Sequence, residues 1–243
     1  MAKVNFTPDS AHEIGAATRT LIEDYLNYAE FVPPTGLLDR LESFGRELAR
    51  WGAKFNLTAS PDDPAEVAGH ILDSLMPLLL IGRNPESQLA SCFLAGKRVL
   101  DLGSGAGFPG LILAASTEAK FVLLESRRKR ASFLKTAIGA MALANAEVDS
   151  RYRRTFANEF DVVTARAFAR PQEFYEVAAT ALKPEGIAIL YASERQRLEV
   201  EEILHRRGDV FTCYSYEAPR TLTGSVGQRG DSTGRLIVVS KRG

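Results

Sequence analysis

The chain has 243 residues, 45% hydrophobic and 25% charged, a globular composition with enough apolar side chains for a sizeable core, which excludes a disordered or fibrous protein. Thirty basic and thirty acidic residues cancel, yet residues 1–95 carry 7 Lys and Arg against 13 Asp and Glu, and residues 96–243 carry 23 against 17. The C-terminal part, with its basic excess, is therefore the one suited to an anionic substrate, although scattered solvated arginines would give the same count.

Two cysteines, Cys92 and Cys213, are too few for a disulfide framework and are not spaced as a zinc site. The apolar stretch from Leu75 to Ile81 contains Pro77 and falls short of the ~20 residues that span a bilayer. MAKVNFTPDS has no signal-peptide core. The reading is a cytoplasmic protein with no membrane segment and no metal; its oligomeric state is left open.

From Ala11 to about Phe31 polar and apolar residues mix at helical spacing, and Pro33-Pro34 stops the pattern. Thr35 is the expected N-cap of the next helix, whose Leu37, Leu41, Phe44, Leu48 and Trp51 form one apolar face ending at Gly52. Asp63-Pro64-Ala65-Glu66 is a helix start, with an N-cap, a first-position proline and a glutamate three residues after the cap. That third helix is expected to run to roughly Met76, with a linker over Gly82–Gln88. Strands are then expected at Arg98–Leu102, Lys120–Leu124, Asp161–Ala165, Gly186–Tyr191, Asp209–Ser215 and Arg235–Ser240. Helices near Phe108–Ala115, Arg128–Ala142, Pro171–Leu182 and Glu194–Arg206 alternate with them.

That alternation predicts an α/β doubly wound sheet, mostly parallel, closed by a C-terminal antiparallel hairpin because no long helix separates the last two strands. The domains expected are an N-terminal helical extension (1–34), a helical cap region (35–90) and a ligand-binding domain (91–243).

The segment Val99-Leu100-Asp101-Leu102-Gly103-Ser104-Gly105-Ala106-Gly107-Phe108-Pro109-Gly110 follows the first strand and opens a helix, the place where doubly wound sheets bind ligands. Glycines there let backbone N–H groups approach a ligand, and the next strand ends in Glu125, placed to accept from two ribose hydroxyls. Gly105 to Gly110 also satisfies the dinucleotide fingerprint. For NAD, however, that fingerprint should begin at the strand end, and Asp101 at the mouth of a longer loop suits the cationic amino group of a methionine moiety while repelling a pyrophosphate. The preferred cofactor is S-adenosyl-L-methionine, with Asp101, Gly103, Ser104, Gly105, Gly107 and Glu125 binding it, and NAD as the rival.

These residues, with L-L-E-S-R-R-K-R-A-S-F-L at 123–134, D-V-V-T-A-R-A-F at 161–168, N-L-T at 56–58, H-I-L-D-S at 70–74 and R-L-I-V-V-S-K at 235–241, resemble the bacterial RsmG (GidB) family of 16S ribosomal RNA guanine-N7 methyltransferases. The resemblance covers about residues 36–241. It implies a class I methyltransferase fold with a helical N-terminal part, S-adenosylmethionine as cofactor, 16S ribosomal RNA or the small ribosomal subunit as partner, and methylation of a guanosine at N7. It also implies that Phe108 and the pair Tyr152-Arg153 line the adenine pocket and that Arg166 belongs to the cofactor and substrate pocket. Two departures from the family stand out, Tyr152-Arg153 in place of a small or apolar residue and an acid, and Tyr191-Ala192-Ser193 in place of Lys-Gly.

Guanine N7 carries a lone pair and no proton, so its methylation needs positioning and electrostatic help but no general base. The chain has three histidines, no N-P-P-Y or D-P-P-Y tetrapeptide and no cysteine following a proline, which fits such an acceptor. Arg166, following the strand Asp161–Ala165, is the candidate catalytic residue, since its fork matches guanine O6 and N7 or a phosphate; a structural arginine paired with Asp101 or Glu125 is the alternative. His70 and Asp73 are expected to fix the helical part against the sheet, Arg127-Arg128-Lys129-Arg130 to meet phosphate or solvent, and Trp51 to lie in the core. A methyltransferase with a drifted RNA target and a non-catalytic ribosome-associated RNA-binding protein remain as alternatives.

Overall fold

The computed structural model describes residues 8–151, 155–166, 170–207, 210–217 and 233–241. Four helices come first, α1 (Pro8–Tyr28), α2 (Leu37–Gly52), α3 (Pro64–Ser74) and α4 (Met76–Arg83). Strand and helix then alternate as β1 (Arg98–Leu102), α5 (Gly110–Ser116), β2 (Lys120–Leu124), α6 (Arg128–Ala140), β3 (Ala146–Asp149), β4 (Phe160–Arg166), α7 (Pro171–Ala181), β5 (Leu182–Ala192), α8 (Glu194–Arg207), β6 (Phe211–Glu217) and β7 (Thr233–Ser240). The sheet order is β3-β2-β1-β4-β5-β7-β6. The first five strands pair in parallel, and β7 runs antiparallel between β5 and β6.

Side chains alternate across the strands, so the sheet carries a core on each face. On one face Phe160, Val163, Leu190 and Val239 pack with Phe174 and Ala178 of α7 and Val200 and Leu204 of α8. On the other, Val99, Phe121 and Val238 share a continuous cluster with Leu111 of α5, Phe133 of α6 and Leu41, Phe44, Ile71 and Leu72 of the N-terminal helices. In β1, Val99 faces this helical side while Leu100 and Leu102 face the other, and the same alternation turns Asp101 toward the helical side. Trp51 joins this core at 5.9 Å from the Phe133 ring.

Several boundaries differ from expectation for local reasons. The cap of α2 is Gly36 at φ 77°, with no side-chain hydrogen bond, rather than Thr35; a left-handed turn there suits glycine. The Asp63 cap is as expected, its carboxylate accepting from Ala65 N at 2.9 Å. The third helix stops at Ser74 and restarts as α4 with a 52° bend, because Pro77 in the first turn of α4 lacks the N–H that would continue the ladder. The expected linker accordingly loses Gly82 and Arg83 to α4. Helix α5 begins at Gly110, after Pro109 as its cap. Strand β3 had no expectation; its AEVD sequence is short and half polar. Among the described residues no single helix is long and apolar enough to cross a membrane.

Candidate functional site

The C-terminal ends of β1, β2 and β4 meet beneath the helical part, and a cavity of about 270 Å³ opens there. Gly103, Ser104, Gly105, Ala106 and Phe108 form its floor on the loop side; Leu57, Thr58, His70, Arg130 and Arg166 form the rest. Gly103, Gly105 and Gly107 adopt φ of 70°, 56° and 92°, a left-handed path that exposes loop backbone and that a Cβ would strain. The Gly103 and Ser104 N–H groups donate to the Leu124 carbonyl at 2.9 and 3.1 Å, fastening the loop to the end of β2.

Glu125 completes that fastening. Its Oε2 accepts from Gly105 N at 3.0 Å and its Oε1 from Arg127 N at 2.7 Å. Only 5% of the residue is exposed. Each oxygen retains a second lone pair for a hydroxyl donor, so the carboxylate both shapes the glycine loop and can bind a ribose.

Asp101 lies beneath the loop rather than at its mouth. It has no exposed surface, Thr164 Oγ1 donates to its Oδ1 at 2.8 Å, and Oδ2 is turned toward the Gly110 backbone, where no donor among the described residues meets it at hydrogen-bond geometry. Burial pushes its pKa up to about 6, against the opposing pull of Ser104, Thr164 and the Gly110 backbone. Asp101, buried behind the glycine cradle, and Glu125 at the end of β2 put two acids on the loop side of the cavity, an arrangement that fits a cationic, ribose-bearing ligand.

Arg166 ends β4 and lines the cavity. Its partners are neither Asp101 nor Glu125, as the structural alternative had it, but residues of α3. Nε lies 3.4 Å from Asp73 Oδ2, Nη1 donates to the His70 carbonyl at 3.4 Å, and Nη2 lies 2.8 Å from His70 Nδ1. The guanidinium carbon sits 5.6 Å from the centre of the Phe108 ring, whose edge also meets Phe44 at 5.3 Å. His70 and Asp73 therefore do join helix to sheet, and in doing so they bring His70 into the cavity wall.

Two further contacts extend this junction. The Tyr216 hydroxyl donates to Asp73 Oδ1 at 2.6 Å, and the Tyr191 hydroxyl donates to the Ser74 carbonyl at 2.8 Å. Tyr191, the first residue of the second family departure, is thus a buried strut under α3. Tyr152 and Arg153 lie outside the described residues. At the start of α6, Arg127, Arg128 and Lys129 are exposed, and Lys129 Nζ stands 4.8 Å above the Phe55 ring. Their positive charge opposes the dipole of α6.

Residues 37–208 match the GidB family, described as rRNA small subunit methyltransferase G. The chain belongs to this family. It is 34% identical over 165 residues to the ribosomal RNA small subunit methyltransferase G of Gluconobacter oxydans, covering 68% of this chain and 79% of that protein. With its namesake in Methylococcus capsulatus it is 36% identical over 168 residues, covering 68% and 76%. The fold is that of class I methyltransferases. It is similar to a SAM-dependent O-methyltransferase from Thermotoga maritima (TM-score 0.53, 17% identity, 70% of this chain and 64% of that one) and to precorrin-6y C5,15-methyltransferase from Geobacter metallireducens (TM-score 0.52, 15% identity, 76% and 92%). The family match ends at residue 208, so β6 and β7, with Tyr216, lie beyond it.

Asp73 and His70 were legible as a signature, but nothing in their spacing placed His70 beside Arg166 in a cavity. Leu57 and Thr58 belong to the N-L-T motif, which carries no position, whereas Arg130 belongs to the basic run expected to meet phosphate or solvent. Tyr216 had no signal.

Proposed function

We propose that this GidB-family protein transfers a methyl group from S-adenosyl-L-methionine to N7 of a guanosine in 16S ribosomal RNA, in the cytoplasm. The observation that carries the reading is the convergence, on one cavity of a family member, of the glycine cradle with Glu125 on one side and Arg166 with His70 on the other. When bound, the cofactor supplies a methyl group on a sulfonium sulfur. Exposed backbone at Gly103–Gly105 and the free lone pairs of Glu125 hold its nucleoside; the Asp101 carboxylate beneath supplies a negative field toward its cationic end.

The acceptor half of the cavity has Arg166, Phe108 and His70 to orient a purine. N7 brings its own lone pair, so no residue has to remove a proton, and positioning does the work. Exposed cations at 127–129 give the start of α6 an attraction for phosphates. In this reading residues 91–243 bind cofactor and base, residues 35–90 cap the cavity, and α1 of the N-terminal extension braces α2. There Gly15 and Gly45 allow close approach, and Arg19 pairs with Asp39 at 2.6 Å and Glu42 at 3.0 Å.

Mapping modified nucleosides in 16S RNA from a deletion strain tests the reading. Loss of one 7-methylguanosine supports it, loss of a different modification identifies a drifted target, and no loss identifies a binding protein. Calorimetry is expected to show binding of S-adenosylmethionine or its demethylated product and none of NAD.

A further inference from the structure

In the reading above His70 stands in the cavity wall beside the purine, with no role given to its two ring nitrogens. Arg166 Nη2 approaches its Nδ1 at 2.8 Å, and a guanidinium can only donate. Nδ1 is therefore an acceptor and carries no proton. Burial first, and the Arg166 charge second, pull the imidazole pKa down to about 4, so at neutral pH the ring holds a single proton, on Nε2. That nitrogen has no partner among the described residues and is not enclosed.

The ring is also held in place. Phe108 meets it at 5.3 Å between centroids with the planes 56° apart, and Arg166 grips its main-chain carbonyl as well as Nδ1. Arg166 in turn is set by Asp73, and Asp73 by Tyr216. The cavity thus offers a neutral N–H donor of fixed tautomer and fixed orientation.

We propose that His70 is a specificity-determining residue that donates its Nε2 hydrogen to O6 of the acceptor guanine. The proposal rests on the guanine-N7 reading above. Guanine presents two acceptors, N7 and O6, along the edge that is methylated, whereas adenine presents an amino donor in place of O6. An N–H donor at O6 therefore selects guanine over adenine and leaves the N7 lone pair free for the methyl group.

Two substitutions separate this role from scaffolding. His70→Asn keeps an acceptor near Nδ1 for Arg166 and removes the group at Nε2; His70→Gln puts an amide donor near Nε2 and loses the Nδ1 acceptor. With the melting temperature and cofactor affinity measured alongside, kcat/KM for RNA is expected to fall about tenfold in His70→Asn, the size of one lost hydrogen bond, and less in His70→Gln. The reverse order, Asn near wild type and Gln impaired, overturns the proposal.

Wild-type protein supplies an independent arm. 2-Aminopurine, which keeps N7 and lacks O6, placed at the nucleotide that the wild type methylates, is expected to slow the wild type about tenfold and to slow His70→Asn no further. An unchanged wild-type rate, or an equal loss in both proteins, overturns it. A wild type that methylates no guanosine removes the proposed function and this inference together, whereas guanosine methylation that is indifferent to His70 and O6 removes only the inference.

Discussion

The Tyr216 hydroxyl reaches across 143 positions of the chain to donate to Asp73 Oδ1 at 2.6 Å, tying the edge strand β6 to helix α3. Gly234 makes this possible. It faces Tyr216 in the register of β7, and a Cβ there would stand 2.4 Å from the tyrosine ring, so the missing side chain is the space in which the ring lies. Tyr216→Phe keeps the ring and deletes the donor, leaving Asp73 with Arg166 alone. The expected loss is about 1 kcal/mol of stability by urea unfolding with an unchanged m-value, together with slower RNA methylation. A variant as stable and as active as the wild type would show that the contact contributes nothing.

Gly105 and Gly110 lie five residues apart and answer to different constraints. At Gly110 a Cβ would come within 2.5 Å of the Asp101 side chain, and Gly110→Ala is expected to destabilise by about 1–3 kcal/mol through overpacking. Gly105 has φ 56° and nothing nearer than 3.6 Å to its Cβ position. Gly105→Val therefore meets backbone strain of about 1–3 kcal/mol and puts a branched side chain on the surface of the cavity. Calorimetry is expected to show cofactor binding abolished in a folded protein; retained affinity would refute the loop as the cofactor cradle.

Asp101 and His70 titrate in opposite senses over one pH window. The folded pKa of Asp101, about 6, lies above its ordinary 3.8, so between these values acidification protonates the native state alone and stabilises it. The folded pKa of His70, about 4, lies below 6.5, so over nearly the same window acidification protonates the unfolded state alone and destabilises the protein. The shifts are similar in size and largely offset each other in the wild type. Asp101→Asn is expected to lose stability from pH 6.5 to 4, and His70→Asn to gain it, in urea unfolding at several pH values. Parallel curves for both variants would refute the assignment of these buried states.

The doubly wound order and the glycine loop were legible because each rests on local chemistry: apolar runs alternating with amphipathic segments, and glycines after a strand. Glu125 was legible as the acid ending the next strand, although its hold on the loop backbone was not. Other features depend on long-range geometry. Asp101 was expected at the loop mouth, and only the pleat of β1, with Val99 on the helical side, shows it turned beneath the loop. His70 in the cavity wall depends on α3 lying against the end of β4, where Arg166 meets both His70 and Asp73. Tyr216 reaches Asp73 because β7 inserts between β5 and β6, a strand order that no residue pattern states.

Arg166 joins binding and stability in one side chain, and its variants have to be read on both scales. Arg166→Ala leaves Asp73, 19% exposed at its side chain, with the Tyr216 donor alone, and the expected destabilisation is about 2 kcal/mol. Arg166→Lys supplies a charge but cannot meet Asp73 and both His70 acceptors from one plane, so rescue is expected to be poor. Wild-type turnover should stay nearly flat with pH where cysteine titrates, since N7 surrenders no proton, and fall only on acidification through about 6, where the Asp101 carboxylate beneath the cofactor loop takes up its proton. The deciding measurement pairs Arg166→Ala with Asp73→Asn. Without the Asp73 charge, removing the arginine no longer strands a carboxylate, so the stability loss should shrink. If single-turnover methylation by folded protein remains strongly reduced in the double variant, Arg166 acts on the bound RNA base. If the rate recovers with the stability, the arginine belongs to the junction between α3 and β4 and its catalytic assignment is wrong.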